Sequence, residues 1–276
     1  MSYEGPSAAI GVIGGTGFEE LFDERADIQT VEVETPFGEP SASLTVGEVG
    51  GRPVAFLPRH GRRHELQPHR VNYRANLWAL RTVGVRQVLG PCAVGSLRPE
   101  LGAGALVVPD QVVDRTWGRA HTVYDDPGVV VHVAFADPYC PLGRETVAAQ
   151  AVSANWPVRR DGTLVVINGP RFSSRAESRW HATAGWTVVG MTGMPEASVA
   201  RELALCYTSL CLVTDQDAGV EGGSAVTHAE VLEVFGRNVT RLKALVGAVV
   251  AALPPDDQDC VCRHALDGLP LPFDLP

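Results

Sequence analysis

The stretch AAIGVIGGTGFEE, residues 8–20, opens the chain with an apolar run that stops at glycines. A short apolar run closed by a turn signal reads as a buried strand, and Gly14, Gly15, Thr16 and Gly17 read as the tight loop it feeds. Glycines there let backbone N–H groups point at an anion, and the Thr16 hydroxyl adds a donor. The spacing is not that of a dinucleotide fingerprint, because Glu20 stands where the last glycine of G-x-G-x-x-G belongs, and the lysine of a P-loop is absent. Taken alone, the loop fits an anion site or a plain strand-to-helix turn.

Working outward, similar strands are expected at SASLTVGEV (41–49), RPVAFLP (52–58), VRQVLGPCAV (85–94), GALVVPDQVV (104–113), TLVVIN (163–168), WTVVGM (186–191) and SLCLVTD (209–215). Helical patterns lie between them. VNYRANLWALRTVG (71–84) puts Val71, Ala75, Leu77, Trp78 and Leu80 on one broad face, with Gly84 suited to the position past a helix end. GMPEASVARELALC starts a helix near Pro195 and Glu196, both favoured at that end. A last long helix begins at Thr227, with Glu230 completing a capping box and Val231, Phe235, Leu242, Leu245 and Val249 on one face. Strands alternating with helices predict an α/β fold, a twisted sheet flanked by helices. No repeat or low-complexity linker divides residues 1–276, so a single domain is expected, with 254–276 a mostly irregular tail.

Composition sets the background. A net charge of −9 does not advertise nucleic-acid or anionic-membrane binding. No run approaches the roughly 18 apolar residues of a membrane span, and the start lacks the layout of a signal peptide. A cytoplasmic protein with no nucleic-acid or membrane partner is expected. The six cysteines are Cys92, Cys140, Cys206, Cys211, Cys260 and Cys262. They form no paired CxxC set at metal spacing and read mainly as small buried hydrophobes. Cys260 and Cys262, in the polar tail, could form a redox or interface bridge.

Against that acidic background, FLPRHGRRHELQPH (56–69) stands out. Arg59 and His60 follow a strand directly, at its carboxyl end, where open α/β sheets place ligands. An arginine fork matches two phosphate oxygens and an imidazole adds a donor; Arg62 and Arg63 read as a solvated turn. Phe172 and Ser173, after another strand, suit either stacking on a flat heterocycle or the core. Met191 and Thr192 sit at a strand end before a helix start, where an anion is welcome. Asp215 and Asp217, just past an apolar strand, could bind Mg²⁺, cap a helix or do acid/base work on a ligand.

Together the segments IGVIGGTGF, ETPFGEPS, PRHGRRH, VNYRANLWAL, AVGSLRPE, DQVVDRT, ADPYCP, NGPRFSSRAES, MTGMPEA and VTDQDAG resemble the trimeric purine nucleoside phosphorylases, specifically the 5′-methylthioadenosine phosphorylase branch. They occur in the family's order over roughly residues 9 to 250. The resemblance implies a mixed twisted sheet flanked by helices, a homotrimer, and phosphorolysis of a 6-aminopurine nucleoside, with inorganic phosphate as co-substrate and no cofactor or metal. It implies that Thr16, Arg59, His60, Ala93 and Thr192 bind phosphate, with Cys92 where the family usually carries a phosphate-contacting threonine. Phe172 and Ser173 would line the base site, Met191 would contact the ribose, and His132 would reach a neighbouring subunit's 5′ pocket. Asp215 and Asp217 correspond to the aspartates that read the adenine ring, and Asp215 would act as its acid. Gly190, in place of a polar residue, is expected to loosen the base edge.

His228 occupies a position that is apolar in the methylthio branch and histidine in relatives accepting a 5′-hydroxyl. It either enters the pocket, beside Val231 and Leu232 as apolar lining, or faces solvent. The resemblance leaves adenosine, inosine or another 5′-modified nucleoside as alternative substrates. A binding protein that has kept the fold without catalysis is a further alternative, hinted at by Cys92.

Overall fold

A computed structural model describes residues 3–15, 18, 21–22, 27–126, 128–220, 227–255 and 259–276. In chain order the strands and helices are β1 (Ile10–Gly14), β2 (Gln29–Val31), β3 (Leu44–Val49), β4 (Arg52–Pro58), α1 (Tyr73–Thr82), β5 (Gln87–Ser96), β6 (Leu106–Val107) and β7 (Gln111–Arg115). They continue as α2 (Pro141–Ser153), β8 (Val158–Arg159), β9 (Thr163–Ile167), α3 (Arg175–Thr183), β10 (Val188–Gly190), α4 (Glu196–Glu202), β11 (Cys206–Gln216) and α5 (His228–Ala252).

The strands form one mixed sheet in the order β2-β3-β4-β1-β5-β10-β9-β7, with β11 on the other edge of β5 and β6 and β8 beyond it. Strand β1 is buried along its whole length because both sheet faces are covered. Its alternation is still visible: Ile10 and Val12 face one core with Val54 and Phe56 of β4, whereas Ile13 faces the other with Ala55 and Leu57. Helices α1 and α4 close the first-named strands' opposite face through Leu77, Leu80, Val199 and Ala200. Helices α2 and α5 close the remaining face through Val147, Ala151, Phe235, Leu242 and Val249. Among the described residues no helix is long and apolar enough to cross a membrane.

The expected strand at 104–113 is two strands. Pro109 lacks the N–H that a continuous ladder needs, and the chain changes neighbours there: β6 pairs with β11 and β8, whereas β7 pairs with β9. Helices α2 and α3 were not anticipated. Helix α3 carries a legible signal, since Ser174 accepts from the Glu177 N–H and Glu177 caps in return. The anticipated capping box of Thr227 with Glu230 is present, and α1 is capped by Asn72, which accepts from the Ala75 N–H.

Two irregularities of β5 and β11 create the site. Strand β1 pairs β5 over Gln87–Leu89 and β10 pairs the same edge only at Gly95–Ser96, so the edge between them opens. Opposite, the β5–β11 register slips between Val213 and Asp215, which leaves Thr214 as a bulge. A bulge re-aims the side chains that follow it.

Candidate active site

A cavity of about 320 Å³ lies at this opening, at the carboxyl ends of β1, β4, β5 and β11. Arg59, His60, Cys92, Ala93, Phe172, Ser173, Met191, Thr192, Asp215, Asp217 and Val231 all line it, contributed by segments more than 150 residues apart in sequence. Leu232 does not. One residue along α5 turns the side chain about 100° away, and Leu232 is exposed. His132 is exposed and lies off the cavity of its own chain. Thr16 and the side chain of His228 fall outside the described residues.

The guanidinium of Arg59 is 1% exposed, and its fork is not open to an anion. Nε and Nη2 donate to the two carboxylate oxygens of Glu196 at 2.7 and 2.8 Å, and Nη1 donates to the Pro91 carbonyl at 3.1 Å. Tyr207 Oη donates to the same carboxylate at 2.6 Å. Burial opposes the arginine's charge, but the Glu196 carboxylate outweighs it and holds the group firmly cationic. Gly15 permits this packing: a Cβ there would stand 2.9 Å from Arg59 Nη1 and 3.1 Å from the Pro91 carbonyl oxygen. Arg59 therefore offers the cavity one edge of an ion pair, rather than the two-pronged grip its sequence position suggested. Glu196, which by sequence is only a helix-start residue, turned out to be its partner; no spacing rule links positions 137 apart.

His60 is held neutral. Burial, then the Arg59 charge, pushes its imidazole down to about 4. Nδ1 lies 2.8 Å from the Leu66 carbonyl, so the neutral ring carries its proton on Nδ1 and leaves Nε2 as an acceptor. Arg62 and Arg63 of the same basic stretch point to solvent.

In the same cavity, Asp215 Oδ1 accepts from the Thr214 hydroxyl at 2.8 Å. Burial is the main force pushing the Asp215 carboxyl up to about 6; the Thr214 hydrogen bond opposes it, and the Asp217 and Glu230 charges reinforce it. Asp217 is 3% exposed, and among the described residues its Oδ2 has no hydrogen-bond partner; nor has the buried Ser173 hydroxyl. Orphaned polar atoms in a cavity wall are costly unless a ligand satisfies them. Gly95 makes room for the pair, since a Cβ there would lie 3.0 Å from Asp215 Oδ2.

Gly190 is buried in the cavity wall, where a Cβ would stand 3.3 Å from Val94 and 3.4 Å from Leu164. The Cys92 sulfur lies 3.6 Å from Cys211 Sγ and 3.7 Å from Ser209 Oγ, engaged with β11. Arg119 was not anticipated. Buried, it donates to the carbonyls of Asn168 and Met191 at 2.9 and 3.0 Å and to the Met194 carbonyl, and so clamps the loop that carries Met191 and Thr192.

The Arg59–Glu196 ion pair with neutral His60, the carboxyl pair Asp215 and Asp217, and the aromatic Phe172 meet in one cavity at a sheet's carboxyl edge. A sequence model of the phosphorylase superfamily matches residues 9–251. The chain belongs to the phosphorylase superfamily. It is 59% identical to a purine nucleoside phosphorylase of Streptomyces coelicolor, over 98% of each chain. It is 55% identical to an S-methyl-5′-thioadenosine phosphorylase of Mycobacterium tuberculosis, over 97% of each. The solved methylthioadenosine phosphorylase of Schistosoma mansoni in complex with adenine superposes with a TM-score of 0.85 at 37% identity, covering 91% of this chain and 94% of that one.

Proposed function

We propose that this phosphorylase converts 5′-methylthioadenosine and inorganic phosphate to adenine and 5-methylthioribose 1-phosphate. The observation that carries the reading is the carboxyl pair at the end of β11, with Asp217 Oδ2 unpartnered among the described residues and Asp215 pushed up to about 6. A 6-amino group donates hydrogen bonds, so carboxylate oxygens suit it; a 6-oxo group would leave a buried acceptor facing acceptors, at a cost of roughly 1 to 3 kcal/mol.

Cleaving the N-glycosidic bond leaves positive charge on the sugar and sends the bonding pair to the purine. Phosphate near Arg59, His60, Ala93 and Thr192 stabilises the sugar charge and then bonds its anomeric carbon. Protonated Asp215 donates to ring nitrogen 7 as the purine departs, neutralising the second charge. Because His60 Nε2 is an acceptor, it takes the hydrogen of a protonated phosphate oxygen. Ser173 and Phe172 line the base, and Met191 the ribose.

The reading extends to a cytoplasmic homotrimer in purine salvage. His132, exposed on its own chain, would complete a neighbour's 5′ pocket; Trp117 and Val130, 75% and 73% exposed, precede it in sequence and supply an apolar surface for that contact. The name of the S. coelicolor relative favours a second reading, in which adenosine or inosine is the better substrate.

The test is kcat/KM at saturating phosphate for 5′-methylthioadenosine, adenosine and inosine side by side. Methylthioadenosine ahead is expected. Inosine ahead removes the 6-amino assignment of the two aspartates, and no phosphate-dependent release of base removes catalysis altogether.

A further inference from the structure

The active site leaves four cysteines unused. Cys140 is the N-cap of α2, Cys206 opens β11, and Cys260 and Cys262 follow α5 in the tail. Three remote segments thus bring their sulfurs together: all four Sγ atoms lie within 4.8 Å of one another. Cys260 Sγ stands 3.7 Å from Cys140 Sγ and 3.6 Å from Cys206 Sγ. All four are buried free thiols, and they form a small core cluster of their own with Leu142 packed against it.

Hydrophobic packing alone does not require this arrangement. Branched aliphatic side chains fill such a space with more buried area, whereas clustered thiols add little packing volume. The other close cysteine contact, Cys92 with Cys211, is a simple pair across two strands. Four sulfurs bound at about 2.3 Å around a tetrahedral centre lie about 3.8 Å apart. The two measured edges fall within about 0.2 Å of that length, and the remaining edges need contract by no more than about 1 Å.

We propose that Cys140, Cys206, Cys260 and Cys262 are the four ligands of a structural Zn²⁺ ion. Each thiol loses its proton to water as its Zn–S bond forms, with no change of oxidation state. Four protein ligands close the coordination shell, so no position is left for substrate or catalytic water. The surroundings suit a thiolate cluster. The Gly143 N–H donates to Cys140 Sγ at 3.5 Å from the first turn of α2, and Arg201 lies close enough to Cys262 for its charge to act on that sulfur.

The consequence is a fastened tail. The ion joins the segment after α5 to the start of β11, whose far end carries Asp215 and Asp217. Beyond the cysteines, Phe273 stacks on Tyr124 at 5.3 Å and meets Trp78 edge-on at 5.7 Å. Metal binding to the folded chain alone raises its stability by mass action.

The test is elemental analysis of the full-length protein, purified with a reductant and without chelator, and again after exposure to Zn²⁺ and desalting. About one zinc per chain is expected. Co²⁺ in its place should give the sulfur-to-metal charge-transfer and red d–d bands of a tetrahedral tetrathiolate. The double variant Cys260→Ser/Cys262→Ser, remote from the cavity, should hold less than about a tenth as much metal, and its Tm should match that of chelator-stripped wild type. Should that variant not fold, the wild-type zinc content and Co²⁺ spectrum decide. Two results overturn the proposal: wild type without zinc in both preparations, or a non-reduced mass lower by two or four hydrogens, which assigns these sulfurs to disulfides.

Discussion

Asp215 is costly to the fold and useful to the reaction for the same reason. Its carboxyl is pushed up to about 6 in the folded chain, above the 3.8 expected when exposed. The folded state therefore holds the proton more tightly, and stability falls as pH rises between those values, then stays level above about 6. Asp215→Asn removes that penalty, so the stability difference between variant and wild type should grow from pH 4 to 6 and plateau beyond; a flat difference in urea titrations across that range contradicts the elevated carboxyl. The same variant should lose roughly 10²-fold or more in turnover, the scale of a lost general acid. Gly95→Ala tests the space beside the pair. Its methyl would sit 3.0 Å from Asp215 Oδ2 and 3.3 Å from Val189, and kcat/KM is expected to fall at least about tenfold, the cost of displacing a catalytic group. Undiminished kcat/KM would show that the carboxyl has room to move.

Among the elements, α5 connects a local cap to the cavity. Thr227 accepts from the Glu230 N–H, and its carbonyl accepts from the N–H of Val231, which lines the site. Thr227→Ala should cost about 1 kcal/mol. It should raise nucleoside KM more than it lowers kcat, because it loosens a wall rather than a reacting group. Equal losses in both would mean that the first turn of α5 takes part in chemistry. The cap, like the apolar face behind it, was readable in the sequence because its determinants lie three or four residues apart. The bulge at Thr214 was not: it exists because β11 pairs with β5, and that register depends on what covers both faces of the sheet.

At the scale of the whole molecule, exposed apolar residues and a stranded histidine lie together in one stretch. If His132 completes a neighbouring subunit's pocket, light scattering should give three times the chain mass. His132→Ala should then raise nucleoside KM while leaving phosphate KM and trimer mass unchanged. A monomer retaining full activity contradicts that role. The buried Arg59–Glu196–Tyr207 network also belongs to this scale, since it ties the end of β4 to α4 and β11. Breaking such a pair leaves a buried charge uncompensated.

Apolar runs, helix caps and glycine loops determined most of the strands, the helices α1, α4 and α5, and the strand ends where Arg59, His60, Met191, Thr192, Asp215 and Asp217 emerge, because each depends on neighbours a few residues away. Together with the family resemblance, the motifs after the strands marked eleven of the residues that line the cavity, whereas Ile167, Val189 and Thr214 were not singled out. Only the tertiary structure decided that the Arg59 fork closes on Glu196, that Leu232 turns outward, that Arg119 clamps the Met191 loop, and that four scattered cysteines meet. Those contacts span tens to more than a hundred residues, and their geometry follows from strand register and burial, which no local spacing encodes.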